Sequence, residues 1–216
     1  MSLLPKPTAV IWDMDGTLID QTAPIIRCYA EVIEELGYPK PEPEKIHRSM
    51  GGPMASTMAL FVKPEETAQA GVRFRKRFPE IMYDGLIVLP DANESIACFD
   101  GHHIPQVILT NKHGDTARAV SQHCGFSKSI ESCIGNTDTE WQKPQSELTM
   151  HALSTIKAQR AGAVLIGDSP TDAATASNAG LDCIGIATGA HTQEELREAG
   201  AKHTFASLTE MLVALS

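Results

Sequence analysis

The sequence predicts an α/β protein in which a doubly wound parallel sheet carries an inserted, all-helical second lobe. Three observations lead there. Short apolar runs ending on turn residues recur along the chain, helical periodicity fills the intervals between them, and one interval is too long for a single crossover.

The runs are TAVIWD at 8–13, IPQVILTN at 104–111, SCIGN at 132–136, AVLIGD at 163–168 and DCIGIAT at 182–188. Each is too short to stand as a helix, and the β-branched content favours buried strands. Helical patterning follows in DTARAVSQHC after the second run and SELTMHALSTIKAQR before the fourth. Such alternation is most simply a parallel sheet covered by helices on both faces. The interval from about Asp20 to about Leu86 breaks the rhythm: APIIRCYAEVIEELG and PEETAQAGVRFRKRF are helical in period, and no convincing strand lies between them. Residues 20–86 are therefore expected to form a helical cap, with 1–19 and 87–216 as the core. Asp20–Thr22 and Asp84–Leu89 are the expected connections. PKPEPEK at 39–45 and RSMGGPMAST at 48–57 read as loops.

A formal net charge of −9 disfavours nucleic acid and anionic membranes, which need clustered positive charge. No apolar stretch approaches the ~18 residues of a membrane span, and MSLLPKPTAVIW does not read as a signal peptide. Cys28, Cys98, Cys124, Cys133 and Cys183 are odd in number and form no C-x-x-C pair, which argues against disulfides and structural zinc. A cytoplasmic protein, monomeric or homodimeric, is expected.

In open parallel sheets ligands bind beyond the carboxyl ends of the strands. At those ends stand Asp13 with Asp15, Thr110 with Asn111, and Asp168 with Asp172, while Lys143 lies on the loop between the third and fourth runs. Residues two apart in extended chain face the same way, so Asp13 and Asp15 can address one site, and Gly16 permits the sharp departure that follows. A helix starting near Ser169 puts Asp168 and Asp172 on one side. Crowded carboxylates need a cation or a shared proton between them, and a hard dication such as Mg2+ takes oxygen ligands of this kind. Lys143, the Thr110 hydroxyl and backbone N–H groups around Met14 to Gly16 would suit a phosphate beside that metal.

These segments make the sequence recognisable. DMDGTLID, ILTNK, the lysine of WQKPQSE and IGDSPTDAATASNAG, in that order, resemble the four motifs of the haloacid dehalogenase superfamily, and specifically its phosphoglycolate phosphatase-like group with a helical cap. The tail from Gly185 is similar to the closing strand, turn and helix of that group. The resemblance implies a Rossmann-like core and an Mg2+-dependent phosphatase acting on a small phosphorylated metabolite. Asp13 would be the nucleophile and form an aspartyl-phosphate, with Asp15 as general acid and then general base. Thr110 and Lys143, with Asn111 nearby, would bind the phosphoryl oxygens. Mg2+ would be held by the Asp13 carboxylate, the Asp15 backbone carbonyl and Asp168, with Asp172 supporting from behind. The substrate-selecting loop of the family falls near residues 48–57, which nominates Arg48, Gly51 and Gly52.

Other readings compete. A lone D-x-D after a strand is usually a helix cap or a solvated turn, and a calcium loop would need glycine and glutamate where Leu18 and Pro24 stand. His102 and His103 read as a turn on the far side of the sheet. The basic run RFRKRF at 73–78 reads as a solvated helix face, or else brings Arg73, Arg75 or Arg77 to an anionic substrate. A phosphomutase of the β-phosphoglucomutase type is the nearest functional rival, and pyrophosphate remains open as a substrate. A dehalogenase has no use for Asp15. A phospho-accepting receiver domain would be shorter and lack the helical insert, and a non-catalytic phosphate-binding protein ranks last.

Overall fold

The computed structural model describes residues 4–130 and 132–215. Its strands are β1 (Ala9–Trp12), β2 (Ile19–Asp20), β3 (Ile87–Val88), β4 (Gln106–Leu109), β5 (Ser132–Ile134), β6 (Ala163–Gly167), β7 (Asp182–Ile186) and β8 (His203–Phe205). Four helices fall between β2 and β3: α1 (Thr22–Glu35), α2 (Pro43–Arg48), α3 (Met54–Met58) and α4 (Thr67–Ile81). The others alternate with the later strands: α5 (Ala92–Gly101), α6 (Gly114–His123), α7 (Ser146–Thr155), α8 (Pro170–Ala179), α9 (Gln193–Glu198) and α10 (Leu208–Leu215).

Six strands form one sheet in the order β5-β4-β1-β6-β7-β8, with every pairing parallel. The sheet is the expected doubly wound one. β1 lies at its centre, where the order reverses and a crevice opens beyond the strand ends. Alternation along β1 explains why both faces are covered. Val10 and Trp12 join Ile108 and Ile166 beneath α5, α6 and α10. Ala9 and Ile11 join Leu109 and Leu165 beneath α7 and α8. All four residues of β1 are fully buried, and each large one contributes about 1.5–3 kcal/mol by leaving water. The polar edge of the Trp12 indole is satisfied by Gln106 Oε1 at 2.8 Å.

The helical insert shares the first of these apolar clusters, through Cys28, Val32 and Ile33 of α1 and Phe78 of α4. Tyr29 and Phe74 hold α1 against α4 with ring centroids 4.6 Å apart. Four details depart from expectation. β2 and β3 pair antiparallel at the two ends of the insert, a two-residue ladder too short to leave a period-2 pattern. PKPEPEK is loop only in its first half, since Pro43, with its fixed φ and missing N–H, opens α2. RSMGGPMAST likewise yields the short helix α3 after Pro53. The tail is also richer than a closing strand, turn and helix: it ends β7, forms α9, adds β8 at the sheet edge and finishes in α10. His102 and His103 follow α5 ahead of the amino end of β4, opposite the crevice as expected. Among the described residues no helix is long and apolar enough to cross a membrane.

Candidate active site

The strand ends bring the expected groups together. Asp13 follows β1 directly, with its N–H donating to the Ile166 carbonyl at 2.8 Å, and its side chain is buried. Lys143, only 1% exposed, donates from Nζ to Asp13 Oδ1 and to Asp172 Oδ1, both at 2.7 Å. Burial pushes the Asp13 carboxyl up to about 7, with Asp172 adding to the rise and Lys143 opposing it. Asp168 is likewise raised by burial and by its neighbours Asp13 and Asp172. Burial works against the charge of Lys143, but the two aspartates outweigh it and raise its pKa.

Asp172 has both oxygens engaged. Its Oδ2 accepts from Ser169 N–H at 3.1 Å and from Ser169 Oγ at 2.6 Å, closing a reciprocal capping box at the start of α8. The sequence S-P-T-D thus caps a helix and fixes the second anchor of Lys143 at once. Asp168 accepts from Thr17 Oγ1 at 3.0 Å. Around it the backbone must lack side chains: a Cβ on Gly16 would lie 2.3 Å from Asp168 Oδ2, and one on Gly189 only 1.8 Å away. Gly16 also has a φ of +88°, which a side chain would resist. Its N–H, one of the donors expected around an anion, is instead spent on the Ile19 carbonyl at 2.7 Å.

Thr110 follows β4. Its Oγ1 accepts from Lys112 N–H at 3.1 Å, which leaves the hydroxyl proton free to donate. Asn111 Oδ1 accepts from Lys143 N–H at 3.1 Å and Nδ2 donates to the Gly51 carbonyl at 3.0 Å, so this amide ties the lysine loop to the insert and keeps one N–H for a ligand. Asp15 lies at the cavity rather than in the buried carboxylate cluster, and its oxygens stand 3.0 and 2.8 Å from Lys112 Nζ. Lys112, the last residue of ILTNK, thus reaches Asp15 and the Phe78 ring. Its distant partners Asp15 and Phe78 gave no sequence signal.

The cavity between strand ends and insert measures about 110 Å³, and Gly51 and Gly52 line it. Arg48 is not among its lining residues: the guanidinium donates to the Ala190 carbonyl and pairs with Glu195 at 2.6 Å, joining insert to core outside the cavity. Of the basic run, Arg75 lines the cavity, whereas Arg73 faces Glu35 and Arg77 is held by Glu31 and Glu80. Trp141 packs beside the α7 and α8 cluster and against His151, away from the cavity.

A doubly wound sheet whose central strand ends beside a buried, lysine-bridged carboxylate cluster defines the class, an α/β protein with its charged groups gathered at the strand ends. The family described as haloacid dehalogenase-like hydrolase matches residues 10–186, and the chain belongs to it. It is similar to a phosphoglycolate phosphatase from Chromobacterium violaceum, 28% identical over 211 residues that cover 94% of each chain. A 5′-nucleotidase from Pseudomonas aeruginosa is 26% identical over 210 residues, covering 94% of this chain and 92% of the relative. A haloacid dehalogenase-like family hydrolase from Streptococcus pneumoniae superposes with a TM-score of 0.88 at 22% identity, over 97% of this chain and 99% of that one, which shows the fold.

Proposed function

We propose that the protein is an Mg2+-dependent phosphatase that hydrolyses a small phosphate monoester through an aspartyl-phosphate on Asp13, with residues 20–86 acting as a cap over the site. The observation that carries this is the buried cluster in which Lys143 bridges Asp13 and Asp172 while Asp168 stands beside them.

The donor set fits a hard dication. Carboxylate oxygens of Asp13, Asp168 and Asp172 lie within 4.8 Å of one another, and burial disfavours their charges in the absence of a cation. Asp172 is spent on Lys143 and Ser169, so Asp13 and Asp168 would hold the metal. Bound Mg2+ supplies positive charge against the phosphoryl oxygens. Asp13 has one oxygen on Lys143, and its other oxygen accepts no hydrogen bond from the described residues. That oxygen attacks phosphorus, the bond from phosphorus to the ester oxygen breaks, and the departing oxygen takes a proton from Asp15. Water then attacks the phosphorus, Asp15 takes its proton, and inorganic phosphate leaves Asp13 free. Lys143 and the Thr110 hydroxyl would offset the charge on the phosphoryl oxygens through both steps.

The test is phosphate release across a panel of small phosphate esters with and without Mg2+, on the parent and on Asp13→Asn. Release that requires the metal and drops at least ~1000-fold in the variant is expected, as for other lost nucleophiles. Covalent phosphorylation of Asp13 by a sugar bisphosphate without phosphate release would replace this reading with a mutase.

A further inference from the structure

Residues 188–191 leave the carboxyl end of β7 and form a strap along the buried carboxylates. Thr188 Oγ1 donates to the Gly16 carbonyl at 2.6 Å. The next residue, Gly189, approaches Asp168 so closely that a Cβ on it would lie 1.8 Å from Oδ2, the oxygen that Gly16 meets from the other side. With Oδ1 held by Thr17, the Asp168 carboxylate is set by where the strap lies.

The strap is gripped from the insert. Arg48, the last residue of α2, donates from Nη1 to the Ala190 carbonyl, while Nη2 stands 2.6 Å from Glu195 Oε1. Glu195 is itself fixed: its Oε2 accepts from the Thr192 N–H at 2.8 Å and from the Thr192 hydroxyl at 3.1 Å, in a capping box that opens α9 directly after the strap. Arg48 thus closes on two acceptors that the core already holds in place. Three residues on, Gly51 lies against Ser169, where a Cβ would come within 2.8 Å of the Ser169 Cβ and Oγ. The insert therefore touches the chain on both sides of Asp168, at the residue that follows it and at the strap that backs it. Arg48 does none of this from the cavity, which it does not line.

We propose that Arg48 is a positioning residue: by clasping the strap it carries the seating of the insert to Asp168, so that seating and affinity for the divalent cation are coupled. The coupling rests on the metal-dependent reading above. As a bond the clasp is weak, because the two side chains are 44% and 36% exposed and exposed pairs add little stability. Its effect lies in placement. With the clasp released, Gly189 is free to move off Asp168, and the carboxylate regains rotamers that it must lose again to hold a cation. Coupling between two sites is reciprocal, so the bound cation must in turn favour the seated insert.

The intact protein, its Arg48→Met variant and Glu195→Gln are melted across a Mg2+ titration at constant ionic strength and without substrate. Glu195→Gln keeps an acceptor for Thr192 and removes the charge facing Arg48, which tests the clasp from the core side. The metal-free Tm of Arg48→Met should stay within about 4 °C of the parent, whereas the Mg2+ concentration for half-maximal stabilisation should rise about 5-fold or more. Glu195→Gln should move that midpoint in the same direction by a smaller factor. In amide exchange, Mg2+ should slow residues 48–57 in the parent and do so far less in Arg48→Met, a response that a merely structural contact would not give. An unchanged Mg2+ midpoint in both variants, whatever happens to the metal-free Tm, would overturn the coupling and leave the phosphatase reading standing. If Mg2+ does not stabilise the parent at all, the metal site fails and the coupling fails with it.

Discussion

Replacing Lys143 by methionine removes one charge from a place where three carboxylates depend on it. Lys143 Nζ is 2.7 Å from both Asp13 and Asp172, with 1% of the side chain exposed, so the methionine fills similar space and leaves the carboxylates buried without their cation. Removing one partner of a buried pair costs about 3–5 kcal/mol, because the remaining charge is not rehydrated. For a chain of 216 residues each kcal/mol moves Tm by roughly 2–4 °C, so a fall on the order of 10 °C is expected at pH 8 in chelator. The loss should be smaller at pH 5. There Asp13, whose carboxyl is pushed up to about 7 even with the lysine present, is protonated in the folded protein. Thermal or urea melts of parent and variant at the two pH values measure the difference. A variant within ~1 kcal/mol of the parent at pH 8 would refute the idea that Lys143 is the counter-charge of this cluster, since a lost buried partner costs several times that.

Two more predictions follow from the same geometry. In the metal-free parent, Asp13 keeps its proton up to about 7 when folded but releases it near 3.8 when unfolded; the folded state binds more protons between those values, so stability is greatest below the window and falls as pH rises through it, by up to about 4 kcal/mol at ~1.4 kcal/mol per pH unit. Chelated protein followed from pH 4 to 8 should show this decline and Mg2+ should restore stability at the alkaline end; a flat profile in chelator would contradict the burial argument. Gly16→Ala would set a Cβ 2.3 Å from Asp168 Oδ2 at a φ of +88°, so a loss of about 1–3 kcal/mol is expected, together with a weakened Mg2+-induced rise in Tm as Asp168 is displaced; a variant with unaltered Mg2+ response would show that Asp168 is not needed for the metal.

How much of the site was legible in the sequence depended on the range of the interaction. Asp13, Thr110 and Asp168 were readable because each directly follows a short apolar run, and a parallel sheet delivers the residues after its strands to one edge. The lysine after WQ is legible only through its motif, and the fold explains its burial: Asp172 turns toward it because the capping box with Ser169 holds the start of α8. Contacts between insert and core were not readable. Arg48 was nominated for substrate, yet its partners Ala190 and Glu195 lie more than a hundred residues away and nothing local announces them. Lys112 and Arg75 were visible as residues, but only packing placed both beside Phe78 at one cavity. Local periodicity and strand-end position thus determined the sheet, its helices and the carboxylates at its edge, since these follow from backbone geometry and the need to bury apolar faces. Tertiary structure alone decided which charges neutralise one another and which remain open to a ligand, because distances between residues remote in sequence are set by how the insert packs on the core.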